Sequence, residues 1–183
     1  MRQALCNLTK ADGDEQPIDD KYPRVNEILS ILEECEGKVI IWANFLKSIN
    51  IIYHCIAKMF GEDKVDVIFG KIAAEDRASA VERFQDQFSP LRFLVMQPRT
   101  GGYGLTLTAA TTVIYHDNDW SLEVRQQSED RCHRIGQKNA VTYIDLVAAN
   151  TIDERIRAAL VSKKNIADLV TGDNLKKLLD DGD

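Results

Sequence analysis

A short stretch near residue 130 carries two arginines and a glutamine whose spacing suits phosphate chemistry. In QQSEDRCHRIGQ, residues 126–137, Gln127, Arg131 and Arg134 stand at i, i+4 and i+7. On an α-helix this spacing places the three side chains on one face. Arginine keeps its charge and forks onto phosphate oxygens, so the pair suits the charge that develops in phosphoryl transfer, which is the role of an arginine finger. The alternative is a solvated helix face with ordinary ion pairs, for example between Asp130 and Arg134.

A second candidate is the glycine-rich stretch QPRTGGYGLTLTAA. Gly101, Gly102 and Gly104 leave backbone N–H groups uncovered, ahead of an expected short helix, and such amides bind anions such as phosphate. The same glycines could instead only permit a tight turn. Their spacing lacks the third glycine of the dinucleotide fingerprint, which disfavours an NAD-binding enzyme.

Hydrophobic patterning predicts the elements that position these residues. The apolar runs VIIW, VIF, FLVM, VIYH and YIDLV predict buried strands, and they alternate with stretches of helical periodicity. This alternation predicts a three-layer α/β domain, with a mainly parallel central sheet and helices on both faces. Gly37 is expected to follow the end of the first helix, Ser121 to be an N-cap, and Thr151 with Glu154 to form a capping box.

Three further side chains follow predicted strands, and ligands bind at the carboxyl ends of parallel strands. Asn44 follows VIIW and Lys71 follows VIF, so both are candidates for contacts with a DNA backbone, although either could be an ordinary surface group. Trp120 follows VIYH and is expected to be either a ligand contact or a half-buried packing residue.

Composition limits the partners. The 183 residues, 44% of them hydrophobic, are enough for one well-cored domain. The net charge of -6 argues against a surface that coats DNA generally, so a polyanion must be met by a local patch. The four cysteines lie far apart and predict no metal site. No run approaches the roughly 18 apolar residues of a membrane span, so a soluble intracellular chain without a membrane partner is expected.

Several of these stretches resemble motifs of the SNF2 family of DNA translocases. QSEDRCHRIGQ is similar to motif VI, TGGYGLTLTAATTVIYHDNDWS to motif V and the segment after it, and KVIIWANF to motif IV. The resemblance implies a RecA-like second lobe of a two-lobed, ATP-driven motor in helicase superfamily 2. The lobe is expected over residues 22–168, after a linker from a first lobe at 1–21 and before a C-terminal appendage at 169–183.

The resemblance implies that ATP and Mg²⁺ are bound chiefly by a first, N-terminal RecA-like lobe. This sequence contains neither G-x-x-x-x-G-K-[ST] nor a DE-x-[HD] box, so no ATPase activity or cofactor is expected of this chain alone. Arg134 would be the arginine finger and Arg131 its partner, both reaching the phosphates across the cleft between the lobes. Gln127 would lie beside them, and Gly104 would shape the cleft near the nucleotide.

The resemblance also implies a grip on one strand of double-stranded DNA through its phosphates, without regard to base sequence. Ala43 stands where motif IV usually has a serine, which removes one hydroxyl contact. With the candidates from the shared sheet edge, the expected DNA-binding residues are Asn44, Lys71, Thr100, Gly101, Gly102 and Trp120.

Two functions are open on the sequence alone. The favoured one is the C-terminal motor lobe of an SNF2-like DNA translocase or helicase, inactive without its first lobe. The alternative is a free-standing module that binds nucleic acid or a protein with no ATP step. The absence of long insertions favours a bacterial or viral origin, so the cytoplasm of a bacterium or phage-infected host is expected rather than a nucleus.

Overall fold

The computed structural model describes residues 22–100, 105–133, 137 and 140–171. Over this part of the chain, strands alternate with helices as the patterning predicts, except between Met96 and Ala110, where the described residues contain no helix. The elements in order are α1 Pro23–Glu34, β1 Lys38–Trp42, α2 Leu46–Phe60, a 3₁₀ turn Glu62–Lys64, β2 Val65–Ile68, α3 Ala74–Gln85, β3 Phe93–Met96, β4 Ala110–Tyr115, α4 Leu122–Glu129, β5 Thr142–Asp145 and α5 Ile152–Thr171.

The five strands form one sheet in the order β2-β3-β1-β4-β5, and every neighbouring pair is parallel. Successive side chains of β1 alternate between two buried cores. Val39 and Ile41 pack with α1 and α2, whereas Ile40 and Trp42 pack with α3 on the other face. The predicted three-layer α/β fold is therefore confirmed.

Two of the predicted helix starts are present. The Ser121 hydroxyl accepts a hydrogen bond from the Val124 backbone N–H at 3.3 Å, which makes Ser121 the N-cap of α4. Thr151 stands directly before α5, and its hydroxyl accepts from the Asp153 N–H at 3.2 Å, so the helix start is as predicted but the capping box with Glu154 is not formed. Side-chain capping satisfies N–H groups that have no partner within the helix.

Gly37 lies beyond the first helix, but it does not cap that helix; a glycine is needed there because no side chain would fit. The helix ends at Glu34 with Cys35 as its C-cap. A Cβ atom at position 37 would lie 2.0 Å from the Thr111 hydroxyl oxygen, so the chain enters β1 too close to β4 for any side chain. The close approach of β1 to β4, which only the tertiary structure shows, requires this glycine.

Two local predictions near the candidate site are wrong. The helix expected across residues 126–137 ends at Glu129, whose carbonyl oxygen accepts bonds from the N–H groups of Cys132 and His133. Arg131 therefore lies in the turn after α4. The reason is tertiary, because the Arg131 carbonyl accepts a 2.8 Å bond from the Leu107 N–H. The short helix expected after the glycines is absent from residues 105–109, which form a turn before β4.

The expected domain bounds remain predictions. The segments 1–21 and 172–183 lie outside the described residues, and α5 continues past residue 168 to Thr171.

Candidate nucleotide and DNA interface

Three adjacent strands bring the candidates Asn44, Thr100 and Trp120 to one edge of the sheet. Because β3, β1 and β4 are neighbours and run parallel, the segments that follow them lie side by side. These segments are Gln97–Thr100 after β3, 43–44 after β1, and 116–120 after β4.

Asn44 and Asp117 connect the ends of β1 and β4. The backbone N–H of Asn44 donates to Asp117 Oδ1 at 3.1 Å, and its side-chain amide donates to Asp117 Oδ2 at 3.0 Å. Burial would raise the pKa of Asp117, but the hydrogen bond with His116 and the bonds from Asn44 outweigh it and hold that pKa below its usual value. The amide of Asn44 thus braces an ionised carboxylate, and its contact with DNA remains a prediction.

Gln97 extends this network to the residues before the glycine-rich stretch 101–104. Its amide donates to the Asn44 carbonyl at 3.0 Å, and its Oε1 accepts from the Thr100 hydroxyl at 2.8 Å. The Thr100 N–H also donates to the Gln97 carbonyl at 3.0 Å. The structure therefore brings Thr100 and Asn44 together. Gly101, Gly102 and Gly104 lie outside the described residues.

Arg131 also contacts this segment. Its side chain is largely buried, and Nη2 donates to the Pro98 carbonyl at 3.3 Å. The guanidinium lies 5.3 Å from the centre of the fully buried Trp42 ring. Burial lowers the pKa of Arg131, but an arginine is charged at neutral pH in any such environment. A charged guanidinium thus lies beside the segment that precedes the glycine-rich stretch 101–104.

Gln127 and Arg131 do not share a helix face, contrary to the prediction from their spacing. Gln127 lies on α4 and is exposed, and its amide donates to Glu123 Oε1 at 3.0 Å within the same helix. Arg131 lies beyond the end of that helix. Arg134, the third residue of the predicted face, lies outside the described residues.

Trp120 and Lys71 differ in their distance from this network. Trp120 is 41% exposed, and its carbonyl accepts from the Lys163 ammonium of α5 at 2.9 Å, which joins the segment after β4 to α5. Lys71 is exposed in the turn after β2, the edge strand, so β3 separates it from the end of β1. The structure therefore does not bring Lys71 into the Asn44–Asp117 network.

Sequence reasoning missed three residues at this edge: Gln97, Asp117 and Arg125. Gln97 and Asp117 each follow a predicted strand, so the rule that found Asn44 applies equally to them. Arg125 has no comparable signal, because its partners lie on β4, on β5 and after β4.

Two kinds of feature are absent from the part of the chain that the structure describes. It contains no cluster of three His, Cys, Asp or Glu side chains suited to a metal ion. None of its helices is long and apolar enough to cross a membrane.

Comparison with known proteins gives the family. The family model of the helicase conserved C-terminal domain matches residues 20–136. The chain belongs to the helicase C-terminal domain family. Within that family its relatives are SNF2-type ATPases, so it is a C-terminal RecA-like lobe of the SNF2 class in helicase superfamily 2, as the motif resemblance implied.

Two relatives and one solved structure illustrate the match. The ATP-dependent helicase brm of Drosophila melanogaster is 32% identical over 176 residues, which are 93% of this helicase lobe and 11% of brm. The chromatin-remodeling ATPase INO80 of Neurospora crassa is 32% identical over 170 residues, or 92% of the lobe and 8% of INO80. A crystal structure of the C-terminal part of the Fun30 ATPase domain shares the fold, with a TM-score of 0.70 at 22% identity over 79% of the lobe and 48% of that chain.

The lobe thus spans about a tenth of the length of these two relatives. The expectation of a bacterial or phage-infected cytoplasm is wrong. Relatives of the lobe include chromatin-remodeling ATPases of several fungi and the brm helicase of a fly, and these eukaryotic proteins point to the nucleus instead.

Proposed function

We propose that this lobe is the second half of a two-lobed, ATP-dependent DNA translocase. Arg131 and Arg134 would contact the phosphates of ATP held in the cleft between the lobes. Thr100, Gly101 and Gly102 would contact the phosphate backbone of double-stranded DNA. Closing and opening of the two lobes would then move the lobe along the duplex.

The observation that carries this proposal is the segment 97–100, which both halves of the site share. Arg131 donates to the Pro98 carbonyl from one side, and two residues later Thr100 is bonded to Gln97. Gln97 is in turn bonded to Asn44. A change in the position of Arg131 on ATP binding would therefore act directly on the segment that leads to the predicted DNA contacts.

The chemistry needs both lobes. Mg²⁺ bound with ATP on the first lobe would neutralise charge on the phosphate oxygens. The relatives are named as an ATP-dependent helicase and an ATPase, which supports the use of ATP with Mg²⁺. The guanidiniums of this lobe would stabilise the charge that spreads over the transferred phosphoryl group. Gln127 is exposed in the last turn of α4 and would lie beside that group if α4 faces the cleft.

The DNA contacts are expected to be independent of sequence, because the residues at this edge suit phosphate rather than base recognition. The names brm and INO80 belong to a helicase and a chromatin-remodeling ATPase, which supports a duplex, bare or in chromatin, as the substrate class.

The test is ATP hydrolysis by this lobe alone and by the lobe joined to its first lobe, each with and without double-stranded DNA. We expect no turnover by the lobe alone and DNA-stimulated turnover by the joined protein. Absence of turnover in a folded joined protein would reject the motor and leave the interaction module.

A further inference from the structure

Arg125 lies at the centre of a polar cluster between α4 and the sheet. Its Nε donates to Glu129 Oε1 at 2.6 Å, and its Nη1 donates to Asn118 Oδ1 at 2.8 Å. Nη1 also forms an ion pair with Asp145 at the end of β5. The guanidinium carbon lies over the Tyr115 ring, 3.5 Å from its centre. One side chain thus joins α4 to the ends of β4 and β5.

The electrostatics of the cluster favour a permanently charged Arg125. Burial of the side chain opposes the charge, but Tyr115, Asp145 and Glu129 outweigh it and raise the pKa of Arg125 above its ordinary value. The side chain is only 13% exposed. The hydrogen-bond acceptors of Arg125 and its aromatic partner thus lie within the lobe, which suits a structural role.

Three hydroxyl groups secure the same end of α4. The Tyr115 hydroxyl and Ser128 Oγ are 2.6 Å apart, and Ser128 Oγ donates to the Arg125 carbonyl at 2.7 Å. The Tyr143 hydroxyl of β5 donates to the Glu129 carbonyl at 3.4 Å. The last turn of α4 is therefore held through its side chains and its backbone.

Glu129 connects this cluster to the turn that carries Arg131. The Glu129 carbonyl accepts hydrogen bonds from the N–H groups of Cys132 and His133, so Glu129 anchors the turn. The carboxylate of Glu129 accepts in turn from Arg125. We propose that Arg125 is a positioning residue, which fixes the end of α4 against β4 and β5 and thereby fixes the place of Arg131. The effect of Arg125 on catalysis rests on the proposed role of Arg131 in ATP hydrolysis.

The geometry explains why an arginine stands here. A planar guanidinium can stack on the Tyr115 ring while its N–H groups reach acceptors in different directions. A lysine ammonium would keep the charge but could not span Glu129, Asn118 and Asp145 at once. Arg125→Lys should therefore preserve part of the function, and Arg125→Met should preserve the packing of the stem alone.

Cys132 offers a local reporter on this chain by itself. It is fully buried beside Arg131, and burial raises the pKa of its thiol to about 12, so it should react slowly with a thiol reagent at pH 8. Cys55 is also buried, but it lies on the opposite face of the sheet, between α2 and the strands. In a Cys6→Ser/Cys35→Ser background, only these two thiols remain. Local opening of the turn would expose Cys132 alone, whereas global unfolding would expose both Cys132 and Cys55.

The first experiment measures the labelling rates of Cys132 and Cys55 in Arg125→Met, Arg125→Lys and a control, Arg155→Met, at an exposed position of α5. We expect Arg125→Met to speed the labelling of Cys132 by about tenfold or more with Cys55 unchanged, and Arg125→Lys to lie in between. An unchanged Cys132 rate, or equal acceleration at Cys55, would overturn the positioning role.

The second experiment uses the two-lobed protein. Because a displacement of about 1 Å can cost on the order of a hundredfold in rate, we expect Arg125→Met to lower kcat at least tenfold, with the KM for ATP within about twofold. Arg125→Lys should recover part of kcat. A normal kcat for Arg125→Met in an active enzyme would overturn the positioning role. An inactive wild-type enzyme would instead reject the proposed function, and the labelling result would still decide the place of Arg125.

Discussion

Asn44 and Asp117 form a paired contact across two strand ends, in which the backbone N–H and the side-chain amide of Asn44 each donate to one carboxylate oxygen. Asp117 is almost completely buried, so this carboxylate is stable only while these donors surround it. The contact fixes the loop after β1 to the loop after β4.

The first prediction concerns pH. The pKa of Asp117 is lower in the folded protein than in the unfolded chain, where it is about 4. Ionised Asp117 therefore contributes its full stabilisation at pH values above about 4. This contribution disappears as the pH falls through the folded-state pKa. We expect Asp117→Asn to lower the free energy of unfolding by about 2 kcal/mol at pH 7. Urea unfolding from pH 2 to pH 7 should show the gap between wild type and variant closing below about pH 4. A gap that stays constant would contradict this account.

The second prediction concerns Gly37. Alanine at this position would place its Cβ 2.0 Å from the Thr111 hydroxyl oxygen, so we expect Gly37→Ala to cost about 1–3 kcal/mol in urea unfolding. Thr111→Ala removes the hydroxyl and leaves only a 3.1 Å contact at its Cβ. The double variant should therefore recover most of the loss, and additive losses in the double-mutant cycle would show that Thr111 is not the obstacle.

The third prediction concerns Lys38, whose ammonium caps the end of α3. It donates to the carbonyls of Phe84 and Asp86, each at 2.6 Å. Carbonyls at a helix C-terminus lack partners within the helix and favour a cation. We expect Lys38→Met to cost about 1–2 kcal/mol of unfolding free energy. Lys58→Met, at an exposed lysine in the last turn of α2, is the control and should cost less than about 0.5 kcal/mol.

The fourth prediction concerns DNA. We expect this lobe alone to bind double-stranded DNA weakly, with an affinity that falls steeply and linearly on a log–log plot as salt rises. Lys71→Ala should reduce that slope by about one. Lys64→Ala is the control, because Lys64 lies directly before β2, at the opposite end of that strand from Lys71. Salt-insensitive, sequence-selective binding would contradict a phosphate grip.

The sequence predicted the fold well because buried parallel strands are apolar on both faces. KVIIW and FLVM are uninterrupted by polar residues after Lys38, and they proved to be adjacent strands in the middle of the sheet. The position at which α4 ends could not be predicted from local sequence. It depends on a hydrogen bond from the Leu107 N–H to the Arg131 carbonyl, between residues 24 positions apart in the chain. Spacing alone suggested a continuous helix.

Part of the site could be predicted because its residues follow the predicted parallel strands. Asn44 and Thr100 follow predicted strands, and the sheet brings them together through Gln97. Gln127 and Arg131 were grouped by helical spacing, which holds only where the helix continues. Arg125 escaped notice because a charged residue on an amphipathic helix resembles a solvated one until its partners on other elements are known.

The central claim is that this lobe supplies arginines to ATP hydrolysis in the two-lobed protein. The most direct measurement is DNA-stimulated ATP turnover and ATP affinity for Arg134→Ala and Arg131→Ala, with Arg155→Ala as the matched surface control. We expect turnover to fall by about a thousandfold for Arg134→Ala and strongly for Arg131→Ala, with ATP affinity nearly intact and the control unaffected. Near-normal turnover for Arg134→Ala in the joined protein would contradict the account.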